Sequence, residues 1–190
     1  MKLTVARATS VVEALAAFRT ANGVPANGAT ARRWYFDLGP IRVHLPNFQW
    51  RRSAVDRHDL HHILTGYPCS VRGEFQMAAW EFAAGRYPHP GATMICLPLI
   101  AGGAIFTPRH LWHAFLDGRR ARTLYEVEMT DELRHGPLEA LVPLVGRARR
   151  FATSGADRVA FGKLILWAVS LTLLAIGAAV ALPLVAWIAV

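Results

Sequence analysis

The chain has 190 residues, with 21 Lys and Arg against 13 Asp and Glu, a formal net charge of +8, and 53% hydrophobic residues. This excludes a disordered polar chain, and the length suits one domain with at most one appendage. Two cysteines, Cys69 and Cys96, build neither a disulfide framework nor a Cys-x-x-Cys metal site, and they read as reduced, buried thiols.

In chain order, residues 8–21 have helical composition, with Val11, Val12, Leu15, Ala16 and Phe18 able to line one face. The start carries Arg7 and Glu13 and lacks the clean apolar core of a signal peptide. A loop, GVPANGATA, follows. Trp34, Phe36 and Leu38 alternate before Gly39-Pro40, and Ile41, Val43 and Leu45 alternate after it, which predicts a β-hairpin with His44 on its surface. Residues 55–65 predict a helix ending at Gly66, and Tyr67-Pro68 breaks the chain. A second helix spans about 70–84, with Met77 and Trp80 in the core, and stops at Gly85.

After the loop at 88–91, residues 92–106 are apolar on all sides and contain Pro98. They are too few for a comfortable membrane span, so a buried helix is the first reading and a lipid-facing segment the alternative. Thr107 is the expected N-cap and Pro108 the first residue of a helix to Gly118. His110 and His113 on it read as an interface pair rather than a second metal site. Arg119, Arg120 and Arg122 form either a solvated patch or a site for anionic headgroups. Glu126, Glu128, Asp131 and Glu132 read as a solvated acidic turn. A short helix opens at Thr130, another at Pro137 runs to about 150, and 151–163 is a basic linker. The division is therefore a helical domain over 1–150, the linker, and an anchor over 164–190.

The anchor holds no charged residue and is long enough to cross a bilayer as a helix. Trp167 and Trp187 sit near its two ends, and Pro183 leaves a kink or a re-entrant hairpin open. Arg147, Arg149, Arg150, Arg158 and Lys163 precede it and nothing charged follows. The positive-inside rule then puts residues 1–160 on the cytoplasmic side of a bacterial inner membrane or its equivalent. The membrane also accounts for the basic balance. No nucleic-acid motif, serine-nucleophile motif or Gly-rich phosphate loop is present.

The segment that carries chemistry is His58-Asp59-Leu60-His61-His62. His58 and His62 are one helical turn apart on one face, the spacing of a helical metal chelate. Glu74, on the next helix, can supply a carboxylate because the Gly66-Tyr67-Pro68 turn lets the two helices fold back on each other. Asp59 is a direct ligand or a base beside the first histidine. Asp59 stands where the zinc-peptidase motif H-E-x-x-H has Glu, which places a base too short for that chemistry. The His-Asp pair alone lacks the separated ligands of an HD phosphohydrolase. Glu81, two turns after Glu74, reads as a supporting partner or as a surface helix pair.

The run HDLHHILTGYPCSVRGE, in which eleven residues separate His62 from Glu74, resembles the signature of the coenzyme Q biosynthesis protein 4 family. The later HLWHAFLDGRRARTLY resembles that family's downstream segment, so the likeness covers about residues 50–145. The resemblance implies a largely helical, membrane-associated, lipid-binding protein in ubiquinone assembly. It implies a divalent metal, zinc first and iron as the alternative, held by His58, Asp59, His62 and Glu74, with His61 at the surface or behind the ligands. It further implies prenylated quinone precursors as the isoprenoid partner, other quinone-biosynthesis proteins as neighbours, and oxidative decarboxylation at ring carbon C1. In that setting Asp59 is the candidate catalytic base, and residues 92–106 are a candidate slot for the prenyl tail. The competing class is a non-catalytic lipid-binding scaffold for a quinone-biosynthesis complex, in which the metal only staples two helices.

Overall fold

A computed structural model describes residues 9–24, 30–38, 41–85, 87, 89–146 and 153–188. Gly39, Pro40, Arg147, Arg149 and Arg150, and the side chains of Phe36, Leu38, Ile41, Val43, Pro183 and Trp187, lie outside the described residues. The described chain is mainly α-helical, with one two-stranded hairpin and a long C-terminal helix.

Helix α1 (Val11–Asn22) starts at a reciprocal cap: the Ser10 hydroxyl accepts from the Glu13 amide, while the Glu13 carboxylate accepts from the Ser10 amide. Strands β1 (Arg33–Leu38) and β2 (Ile41–Pro46) pair antiparallel, with Trp34 opposite Leu45 and Tyr35 opposite His44. Helix α2 (Gln49–Thr65) begins at Gln49 rather than Val55, because the chain enters from Phe48 without any side-chain cap to mark the start. Gly66 ends it at φ 79°, a left-handed conformation that glycine adopts without a Cβ clash.

Helix α3 (Val71–Ala84) is the hub. Met77, Ala78, Ala79, Trp80 and Glu81 are five consecutive buried residues, so this helix is covered on every side. Helices α4 (Pro90–Phe106) and α5 (Pro108–Gly118) both pack on it. The α3–α5 approach depends on small residues: a Cβ at Gly118 would run into the Trp80 carbonyl oxygen and the Ala83 side chain. Thr107 between α4 and α5 does not cap α5 as expected. Its hydroxyl instead donates to the Gly103 carbonyl at 3.4 Å, at the end of α4.

After α5 an irregular segment leads to α6 (Asp131–His135), capped by the Thr130 hydroxyl, then to a 3-10 turn (Leu138–Leu141) and α7 (Val142–Val145). Arg57 on α2 pins the irregular segment by donating to the carbonyls of Leu124 and Val127, both at 3.0 Å. The helix expected from Pro137 thus breaks into two short pieces that end at Gly146. The chain start is tied to the same region: the Val11 amide donates to the Gly136 carbonyl and the Leu138 amide to the Thr9 carbonyl.

Helix α8 (Gly155–Ile188) is continuous through position 183, so the re-entrant alternative does not hold. It also begins earlier than the uncharged stretch, and residues 155–163 form its first turns rather than a linker. Ser154 and Asp157 cap its start, and Arg119 and Arg120 approach the Asp157 carboxylate at 3.5 and 3.6 Å. Phe161 lies against Trp112 and Phe115, and Trp167 against Phe82. By length and apolarity this helix can span a membrane. Cys69 and Cys96 form no disulfide and are half-buried rather than buried.

The closeness of α3 and α5 gives a direct test. Gly118→Ala has nowhere to put its methyl group and should destabilise the fold by about 1–3 kcal/mol, the usual cost of overpacking. Chemical denaturation of the detergent-solubilised chain measures this, and an unchanged midpoint would contradict the packing described.

Candidate metal centre

The site forms where the end of α2 meets the start of α3. His58 and His62 stand one turn apart, with their Nε2 atoms 3.2 Å from each other. Glu74 enters from the first turn of α3, which the Ser70 hydroxyl caps by accepting from the Gly73 amide. Gly73 is what lets the loop close this tightly, since a Cβ there would collide with the Pro68 carbonyl oxygen. Glu74 Oε1 lies 3.3 Å from His62 Nε2, and Oε2 lies 3.5 Å from His58 Nε2.

The opposite nitrogens are held. His62 Nδ1 lies 2.9 Å from the Tyr67 carbonyl oxygen, which can only accept. His58 Nδ1 lies 3.0 Å from the Glu81 carboxylate. Each Nδ1 therefore carries the proton, and both Nε2 lone pairs face one another and a carboxylate. That arrangement requires a cation between them, either a proton or a metal ion. Donors about 2.1 Å from a tetrahedral ion stand about 3.4 Å apart; the two Nε2 atoms are 3.2 Å apart, and Glu74 approaches each of them with a different oxygen, at 3.3 and 3.5 Å. One donor atom from each of the three residues lies within 4.8 Å of the others, so the group could hold a divalent metal ion. His62 is buried, whereas the side chains of His58 and Glu74 are 32% and 34% exposed, so the site opens on one side.

Glu81 supports the site from behind. Its side chain is fully buried, and one oxygen, Oε1, receives His58 Nδ1 at 3.0 Å, His61 Nδ1 at 2.7 Å and the Tyr125 hydroxyl at 2.8 Å. His61 is fully buried too, and its Nε2 accepts the Leu124 amide at 2.8 Å, which fixes the Nδ1–H tautomer. Burial opposes charging of His61 and pushes its pKa down despite the neighbouring Glu81. At His58 burial also opposes the charge, but the Glu81 and Glu74 carboxylates outweigh it and hold the pKa well above the ordinary value. Burial would raise Glu74, yet its bonds to His58 and His62 bring it down to about 2. Glu81 is held below the ordinary carboxylate range for the same reason.

Asp59 is not brought to the cluster, and this corrects the expected ligand set. Successive helical residues point about 100° apart, so Asp59 faces α1 when His58 faces α3. Its carboxylate accepts from Arg19 Nε at 2.7 Å, and the same guanidinium reaches Asp56 at 2.7 Å. A carboxylate engaged in this way serves α1–α2 packing rather than metal ligation or proton abstraction. His61 belongs behind the ligands, and Glu81 is a supporting partner rather than a surface pair. Tyr67, Tyr125 and Phe18, which stacks on His62, carried no motif signal. His110 and His113 are exposed on α5, away from the donors. Arg119, Arg120 and Arg122 line an open cleft of about 820 Å³, which adjoins a second of about 490 Å³ lined by Phe82, Lys163 and Trp167.

No protein-family model, curated protein or solved structure matches the chain. What the fold and site define is a mainly helical protein with a His-His-Glu group able to chelate a metal ion and one helix able to span a membrane.

Two outcomes follow from this geometry. Glu81→Gln removes the charge that orients His58 and should weaken metal binding by about 10–100-fold, read by competition with a chromogenic chelator. Metal uptake must also displace the proton that the carboxylates hold on His58. Affinity should therefore rise with pH through the raised His58 pKa and weaken as pH falls below it, with proton release on binding detectable by calorimetry in buffers of different ionisation enthalpy.

Proposed function

We infer that this chain is a membrane-anchored metalloprotein of the coenzyme Q biosynthesis protein 4 type, acting on prenylated quinone precursors at the bilayer surface. The observation that carries the reading is the convergence of His58, His62 and Glu74, the family-like motif residues, into a three-donor group with an exposed side. Three protein ligands and an open position are the pattern of a catalytic centre, whereas structural sites are closed by four. When bound, zinc would supply Lewis-acid polarisation of a substrate oxygen, and iron would supply oxygen chemistry.

The chain's own residues set the conditions for that chemistry. Tyr67 and Glu81 keep protons on the Nδ1 atoms and so direct both Nε2 lone pairs inward. Glu74 contributes the neutralising charge. The reaction proposed from the resemblance is oxidative decarboxylation at ring carbon C1. The carboxyl group leaves as carbon dioxide, one oxygen atom of dioxygen becomes the ring hydroxyl, and two electrons and two protons from a reductant convert the other to water. The side chains of Arg119 and Lys163 stand at the start of α8, and with Arg158 they suit anionic headgroups on the cytoplasmic face.

Elemental mass spectrometry of detergent-purified protein tests the centre. Wild type and Asp59→Asn should carry about one metal ion per chain, and His58→Ala and Glu74→Ala should lose it. Metal-free wild type, or metal retained in both alanine variants, would reject the centre. Incubation with a prenylated carboxy-phenol and a reductant in air then tests the chemistry. Loss of the carboxyl group by mass spectrometry supports turnover, and binding without change assigns the chain to presentation of the lipid instead.

A further inference from the structure

The residues of α8 that qualify as a membrane span are also residues that pack on the domain. The apolar window covers Gly155–Ala179. Inside it, Leu164 and Ala168 are buried, and Val169 and Leu171 pack against the core. A bilayer that receives this stretch must also meet whatever lies against it, and the helix with the most extensive contact there is α4.

The composition of α4 suits that position. Its 17 residues contain no charged side chain. One face is buried through Leu97, Ile100 and Ala101. Away from it, Met94, Ile95, Ile105 and Phe106 are 51%, 39%, 70% and 75% exposed. Positions 94 and 105, like 95 and 106, are three turns apart to within about 20°, so the four fall on one strip. Pro98 lies between them and is also exposed. An exposed apolar strip of this kind is unfavourable in water and suited to hydrocarbon, although Pro98 leaves the Met94 carbonyl without its i+4 amide. Beyond Phe106 the chain changes at once to Arg109 and His110, both exposed, the order expected where hydrocarbon gives way to headgroups.

We propose that α4 lies in the bilayer beside α8, with Met94, Ile95, Ile105 and Phe106 against the acyl chains. This rests on α8 entering the membrane, and it deepens the functional reading. A Cβ at Gly102 or Gly103 of α4 would stand 3.2 or 3.0 Å from Phe75, the residue after Glu74. The helix placed in the bilayer is therefore the one packed on α3 next to the residue that follows the donor Glu74.

The test uses the full chain in vesicles of phosphatidylcholine and phosphatidylglycerol. Single cysteines replace Ile105 or Phe106 in a Cys69→Ser, Cys96→Ala background and carry a nitrobenzoxadiazole label. Leu174→Cys on α8 and Glu132→Cys on α6 serve as references for lipid and water. Probes at 105 and 106 should lose emission to doxyl-labelled lipids as the Leu174 probe does, and resist aqueous iodide. If they follow the Glu132 probe while the Leu174 probe is quenched by lipid, the placement of α4 is overturned and the anchor stands. If the Leu174 probe itself is quenched by iodide alone, the anchor fails and the proposal with it. The unmodified chain supplies an independent check: a phospholipid with a diazirine in its acyl chain should label α4 peptides as well as α8 peptides, and adducts confined to α8 would overturn the proposal.

Discussion

Three hydrogen bonds converge on one oxygen of a carboxylate that has no access to water. Glu81 receives His58, His61 and Tyr125, and through them it joins α2, α3 and the irregular segment after α5. A buried carboxylate is costly unless paired and bonded, and here both histidine partners are committed elsewhere as well. His61 also holds the Leu124 amide, and His58 also faces the metal donors. The scaffold that orients the site is therefore the same network that closes the domain. Glu81 Oε2 is buried with no partner among the described residues, where the carboxylate is bonded through Oε1 alone.

Much of this was legible from spacing. A period of 3.6 puts His58 and His62 on one face, and the glycine-proline turn brings the following helix back within reach of Glu74. Glu81 lies two turns from Glu74 on the same face, which is why it could be picked out as a partner. Its burial could not, because that depends on Tyr125 and on helices packed from later in the chain. Asp59 was misplaced for a geometric reason: adjacency in sequence to a ligand is a quarter-turn of separation on a helix, and its true partner, Arg19, lies forty positions away. Similarly, the early start of α8 was hidden because Arg158 and Lys163 mark the edge of the uncharged stretch, not the edge of the helix. The capping pair Ser154 and Asp157 is the local signal that locates it.

The long apolar helix α8 and the candidate metal-donor group are parts of one packed body. Trp167 meets Phe82 on α3, and α3 carries both Glu74 and Glu81. A rigid element thus runs from the anchor to the donor set, with α4 beside it. This differs from a domain tethered by a mobile linker, because the spacing between α8 and the donor group is set by side-chain packing.

The donors lie within seventeen positions of one another, from His58 to Glu74, but the groups that fix them do not. Leu124 and Tyr125 come about fifty positions after Glu74, and Phe18 much earlier. During synthesis the two imidazoles and the carboxylate emerge before the later groups that fix them. Only when the segment after α5 has been made does His61 lock and Glu81 gain its full set of donors. For a bound ion, any discrimination that rests on rigid geometry would therefore depend on residues made well after the donors themselves.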